Sequence, residues 1–246
     1  MENWFGPGSP HDFQLFSTSH LVMLAIAAGG LILLSVTRKR WLAKERAFQW
    51  VRWTLFSLLL LSELSYQTWA SIHGIWSFSG HVPLHLCGIA SITALIGLLT
   101  LHKTWIQISF FIGIVPAFLA LVTPDLPHDY HHYRFWKFFI HHTAIPWACL
   151  FLAFVKPAAI TFRSVFFVYS LLVAYALVIG FFINPWSGAN YLYLTQTPAA
   201  ATPLDFFGDG IWYYLNLGLT ALFLFLGQCF LWRQLVVKPE KRLSKR

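Results

Sequence analysis

Seven stretches of this chain, at about 20–37, 53–72, 83–101, 105–123, 136–155, 163–183 and 211–232, are apolar for the ~18 or more residues a helix needs to cross a bilayer. The fifth is the least clean, because His141 and His142 interrupt it. With 57% hydrophobic residues against 11% charged ones and a mean hydropathy of +0.61, an ordinary soluble domain is excluded. The expectation is an all-α polytopic membrane protein with seven transmembrane helices, forming one transmembrane domain over residues 1–246. No internal repeat, soluble domain or low-complexity linker interrupts it.

The net charge of +8 matters through its distribution. Arg38, Lys39, Arg40, Lys44, Arg46 and Arg52 read as the first loop. Lys103, Lys156 and Arg163 mark the third and fifth, and the tail adds Arg233, Lys238, Lys241, Arg242, Lys245 and Arg246. Fifteen of the seventeen basic residues thus share one side, leaving Arg134 and Lys137 on the other. The excess of Lys and Arg on cytoplasmic loops sets the N-terminus outside and the C-terminus inside after seven crossings. The segment Met1 to Pro7 lacks the positive start of a secretory signal, so the first helix is expected to stay. The basic segments read as topology determinants and anionic-lipid contacts, with no nucleic-acid partner. Trp41, Trp50, Trp53, Trp69, Trp76, Trp105, Trp136, Trp186, Trp212 and Trp232 read as aromatic belts at helix ends. Cys87, Cys149 and Cys229 fall inside helices, with no disulfide or zinc spacing.

Six of nine acids and ten of eleven histidines fall in outer loops or outer helix turns. Glu63 lies mid-helix, and an intramembrane carboxylate is costly enough to mark function, or else a buried polar group that ties helices together. Tyr66 and Gln67 follow it at helical spacing, making one stripe toward the bundle interior. Cys87 sits four residues past Pro83, in the first turn of its helix, where free N–H groups and the dipole favour a thiolate. That helix end supplies at most about 2 kcal/mol, less than a charge loses on burial in apolar surroundings. A reactive Cys87 therefore needs a polar cavity and a base; without them it packs as a small apolar side chain. His142 lies at a depth that allows contact, and a Cys–His pair is the minimal set for acyl transfer. Of the adjacent pair, only one of His141 and His142 is expected to face that cavity, and His85 is expected to point away from Cys87. His128, Asp129, His131 and His132 read as wet interfacial groups; no metal or other cofactor is expected.

Four separated segments resemble a known family. Pro83 to Cys87, Thr123 to Leu126, Arg134 to His142, and Asn190 to Leu194 with Leu204 to Gly208 look like the YwaF-like bacterial integral membrane proteins. That family is similar to a eukaryotic multi-pass acyltransferase of ether phospholipids that uses a Cys and a His. The resemblance implies those roles for Cys87 and His142, in a multi-pass protein of a bacterial cytoplasmic membrane.

The leading expectation is an enzyme that transfers or hydrolyses acyl groups of membrane phospholipids at the outer leaflet. Asn190, Tyr191 or Asn216 would orient the carbonyl or headgroup. One alternative is a transporter or lipid-binding protein with a polar pathway through Glu63, Gln67, His20 and His142; another is a non-catalytic structural membrane protein. Donor, acceptor and oligomeric state stay open.

Overall fold

The computed structural model describes residues 2–8, 12–198 and 202–239, so the tail cations Lys241, Arg242, Lys245 and Arg246 lie outside the described residues. The described chain is helical, and its one β-bridge pairs Asp12 with His128. Seven long helices follow in order: α1 (Thr18–Ala43), α2 (Glu45–Ile72), α3 (Leu86–Thr100), α4 (Lys103–Val122), α5 (Tyr133–Val155), α6 (Phe162–Val178) and α7 (Ile211–Trp232). A π-turn at Ile179–Ile183 and a helical turn at Asn184–Ser187 extend α6, and a π-turn at Arg233–Val237 extends α7. Five helical runs are long and apolar enough to cross a membrane: α1, α4, α5, Phe162–Ser187 and Ile211–Val237. At 28 residues α2 is longer than these but falls short in composition. At 15 residues α3 spans only about 22 Å.

Local chemistry sets the ends. The Ser17 side chain accepts from the His20 N–H at the start of α1, and His132 Nδ1 accepts from the Arg134 N–H at the start of α5. Thr161 and Ser164 form a reciprocal capping box on α6. Lys44 alone separates α1 from α2, so the basic run expected as a loop is mostly helical. Arg, Lys, Ala and Glu are good helix formers, and backbone hydrogen bonding continues beyond the apolar segment. Arg52 turns back to donate to the Leu98 and Leu99 carbonyls at 2.6 and 2.9 Å, near the C-terminal end of α3, where a cation is favoured.

Helix α5 is the centre: 67% of its membrane-length window is buried, against 17% for α1. It packs on α4, α2, α3 and α1, while α6 and α7 pair at the periphery. Small side chains allow the closest approach. A Cβ on Gly113 of α4 would lie 2.4 Å from Cys149 Sγ of α5. The aromatic-belt expectation needs correction for Trp41, Trp69 and Trp232, which are buried in helix contacts. Trp50, Trp136, Trp186 and Trp212 are exposed.

Candidate functional site

The connections between α2 and α3, α4 and α5, and α6 and α7 meet at one end of the bundle, together with the N-terminal segment. At this polar end, Phe13 N donates to Pro127 O at 3.2 Å and Tyr193 Oη to Asp125 Oδ2 at 3.5 Å; the buried Tyr191 hydroxyl donates to Phe78 O. Loop backbone is expensive to bury unless its polar groups are paired, and here side chains do the pairing.

Glu63, Gln67 and Lys137 form the polar centre. Lys137 Nζ lies 3.5 Å from Glu63 Oε2, with side chains 13% and 21% exposed. Gln67 Nε2 donates to Glu63 Oε1 and to His81 O, both at 2.7 Å, and its Oε1 accepts from Trp76 Nε1 at 2.8 Å. Both amide N–H groups of Gln67 are thereby used. The stripe expected from spacing is thus a network tying α2 to the loop before α3 and to α5. Tyr66 adds a cation–π contact, its ring centroid 4.2 Å from Lys137 Nζ, and Arg134 lies 5.9 Å from the same ring.

Cys87 is the second residue of α3, because the helix opens at Leu86 and not at Pro83. Residues 82–85 fold back over the first turn: Leu84 N donates to Val82 O at 2.8 Å, and Tyr175 Oη to Leu84 O at 2.7 Å. Gly88 makes this possible, since a Cβ there would sit 2.4 Å from Pro83 O. Cys87 is a free, half-buried thiol against the core, and the charge that acts on it is Lys137. The same ammonium acts on His81, His141 and His142.

His142 is the tenth residue of α5. Its Nδ1 bonds Phe138 O at 2.9 Å and its ring stacks on Phe138 at 4.0 Å, while Pro146 has no N–H to give the His142 carbonyl. His141 shares a 2.7 Å hydrogen bond between Nδ1 and Ser62 Oγ of α2. The two histidines thus serve different partners, and among the described residues no hydrogen bond joins Cys87 to His142. His85 stands at the N-cap position of α3 with an extended backbone and no side-chain cap bond, so helical spacing does not govern its direction; its ring lies 5.1 and 5.2 Å from Tyr191 and Tyr193.

Asn190, Tyr191 and Asn216 are spent on loop structure. Asn190 Oδ1 accepts from Thr195 N and Gln196 N, Tyr191 N donates to Asn184 Oδ1, and Asn216 Nδ2 donates to Phe207 O. This loop holds Leu192 and Tyr193 at φ of 59° and 53°, a left-handed conformation costly for such side chains. Burial, then the nearby Asp125 and Cys87, push the Tyr193 phenol up from its ordinary 10. His20 bonds Leu121 O at 2.8 Å and accepts from Phe16 N, remote in its bonding from Glu63.

Two of the three histidines expected to be wet are not: His131 is exposed, but His128 and His132 are buried, their rings 4.2 Å apart, and His132 Nε2 bonds Gly6 O at 2.8 Å. The N-terminal segment covers them. Burial, His132 and Arg134 hold His128 from 6.5 down to about 4, against the pull of Asp12. Burial lowers His132 as well. No group of three or more His, Cys, Asp or Glu among the described residues is arranged to hold a metal ion.

Two hollows adjoin this cluster. A cavity of about 110 Å³ is lined by Tyr66, Asp125, Leu126, Arg134, Lys137 and Phe138. A groove of about 700 Å³ runs between α2 and α5 from Trp50 to Ser65, and Lys137 belongs to its wall too. The sequence reading treated Lys137 and Arg134 only as two cations on the acid-rich side. The signal for more was present: cations against the overall charge bias, beside a lone intramembrane carboxylate.

Helices of this length and apolarity, with a polar network gathered at one end, define a multi-pass α-helical membrane protein. The chain belongs to the TMEM164 family, whose model matches residues 15–228. No curated protein and no solved structure matches it.

Proposed function

We propose that the chain is a membrane enzyme that moves acyl groups of phospholipids at the outer leaflet of a bacterial cytoplasmic membrane, with Cys87 as nucleophile. In this reading all seven long helices cross the bilayer, α3 as a short span behind its folded-back loop. The N-terminus lies outside and the C-terminus inside. The observation that carries it is the position of Lys137, which acts on Cys87, pairs with Glu63 and borders both hollows. A buried thiol resists ionisation, and the Lys137 charge and the N–H groups of the first turn of α3 are what act against that burial. The four motifs resembling the YwaF-like proteins point the same way.

The thiolate attacks a phospholipid ester carbonyl, forming a C–S bond, and His142 Nε2 takes the thiol proton. Nδ1 is held by Phe138 O, so Nε2 is the nitrogen left for base work. Lys137 faces the oxyanion. Collapse breaks the ester C–O bond, and His142 returns its proton to the departing lysolipid oxygen. A lysolipid hydroxyl or water then attacks the thioester and restores the thiol. Because Cys87 and His142 are not hydrogen-bonded, the bound lipid or a water completes the link.

The test supplies purified protein with phospholipid labelled in one acyl chain plus an unlabelled lysolipid acceptor, with transferred and free acyl products counted. Cys87→Ser is expected to lower turnover at least about 100-fold, within the span that loss of a nucleophile costs. Wild-type turnover in Cys87→Ser contradicts the reading. The Glu63–Lys137 pair inside the bundle favours one rival, a proton-coupled transporter: Glu63→Gln would abolish flux while Cys87→Ser stayed active.

A further inference from the structure

The small cavity and the large groove share one wall residue, Lys137, and that junction joins two different surfaces. The groove follows one face of α2 from Trp50 to Ser65, fifteen residue steps or about 22 Å at ~1.5 Å per residue. That exceeds the ~15 Å depth of one leaflet's hydrocarbon, half of a ~30 Å core. Its volume of about 700 Å³ lies within the ~300–1,000 Å³ of ligand pockets. Leu58 and Leu61 of α2 face Trp136 and Ile140 of α5, and Lys137 is the one charged residue among its lining. Tyr133 Oη donates to Ser65 Oγ at 2.7 Å and closes the end beyond Lys137. The neighbouring cavity is polar where the groove is apolar, with Arg134 and Lys137 against the single carboxylate of Asp125.

A ligand that fits both must be amphiphilic, with a long apolar chain and an anionic group a few atoms from where the chain begins. Lys137 has three N–H donors, and the Glu63 contact at 3.5 Å is a long one. Arg134 places its guanidinium over Tyr66 and Trp69, 5.9 and 5.8 Å from their ring centroids, and no acceptor among the described residues bonds its N–H groups. Two cations with donors to spare, at the mouth of an apolar groove, complement a phosphodiester.

We propose that the α2–α5 groove takes one acyl chain of a diacyl phospholipid, entering sideways from the bilayer, while the phosphate sits between Arg134 and Lys137 in the adjoining cavity. This deepens the acyl-transfer reading and rests on it only for the reaction at Cys87. The lipid ester then comes to lie beside Lys137, the residue that acts on the thiol. Glu63 becomes a positioning residue: it orients the ammonium between chain and headgroup, and Gln67 orients Glu63.

The test is photolabelling of the full chain in phosphatidylcholine nanodiscs with phosphatidylcholine carrying a diazirine midway along one chain. Parallel arms use a diacylglycerol and a free fatty acid with the same label, and crosslinks are mapped by mass spectrometry. The phospholipid is expected to label residues 50–65 and 133–140 at least fivefold above the exposed faces of α6 and α7. Ser57→Trp and Ile140→Trp, both filling the groove from exposed positions, are expected to cut that label at least fivefold while labelling of α6 and α7 is unchanged. Lys137→Met is expected to bring the phospholipid down to the diacylglycerol level. Label spread evenly over all lipid-facing helices, equal labelling by diacylglycerol or fatty acid, or no effect of either Trp substitution overturns the proposal. Cys87→Ser is expected to label like wild type. Groove labelling in a protein that transfers no acyl group therefore upholds the site and overturns the reaction.

Discussion

Removing one partner of the Glu63–Lys137 pair is expected to cost more than removing both. The ions are 3.5 Å apart with side chains 21% and 13% exposed. At that distance Coulomb's law gives about 5 kcal/mol at an effective dielectric of about 20 and about 1 kcal/mol in bulk water. Partial burial of both groups sets the expected coupling midway between these figures, at about 3 kcal/mol. Lys137→Met leaves the Glu63 carboxylate among Gln67 and Tyr66 without a cation, the situation that costs about 3–5 kcal/mol in buried pairs. In Glu63→Gln with Lys137→Met neither charge remains, and the Gln67 amide still has an oxygen to donate to. The assay is a double-mutant cycle by equilibrium unfolding in mixed micelles, comparing wild type, both single variants and the double variant. A double variant more stable than Lys137→Met alone, with a coupling of about 3 kcal/mol, is the expected result. Single effects that add to within about 0.5 kcal/mol, the limit for independent sites, would show a fully hydrated pair and refute the reasoning that Lys137 works in a sheltered site.

Three further outcomes are expected. Gly88→Ala places a methyl 2.4 Å from Pro83 O, so the 82–85 segment must lift; stability should fall by about 1–3 kcal/mol and maleimide labelling of Cys87 should speed up, while unchanged labelling would contradict the folded-back loop. Ser62→Ala removes the partner of buried His141 and should cost about 1–3 kcal/mol in the same unfolding assay, with Ser57→Ala as a near-neutral comparison. The N-terminal cover should loosen in acid: an unfolded chain protonates its histidines near 6.5, whereas folded His128 resists to about 4, so stability present above pH 6.5 is lost as pH falls through that window. Hydrogen exchange at the Phe13 amide, which donates to Pro127 O, reads this directly, and protection that stays flat from pH 7 to pH 4 would rule it out.

The all-helical membrane architecture and the clustering of polar chemistry were legible because apolar length and charge bias act over whole segments, whereas five helical runs, not seven, are long and apolar enough to cross a membrane. Helix ends were less so. The basic run from Arg38 to Arg52 looked like a loop by hydropathy, but hydrogen bonding carried both helices through it to Lys44. Pro83 marked a helix start that the chain delays to Leu86, since Gly88 lets the preceding backbone fold over the first turn. At the site, Glu63 and Gln67 were readable from spacing on one helix face. Their cation was not, because a pairing between α2 and α5 is set by how the helices pack. Asn190 and Asn216 looked like substrate contacts because amides are versatile, and only the fold reveals that loop carbonyls and amides occupy them.

The most direct measurement is intact-mass analysis of purified wild type, Cys87→Ala and His142→Ala protein after brief exposure to labelled phospholipid, with hydroxylamine to cleave thioesters. The expected result is one hydroxylamine-sensitive acyl adduct on the wild type, none on Cys87→Ala, and slower formation on His142→Ala. An adduct that persists undiminished in Cys87→Ala would contradict the assignment of Cys87 as the acyl-accepting nucleophile.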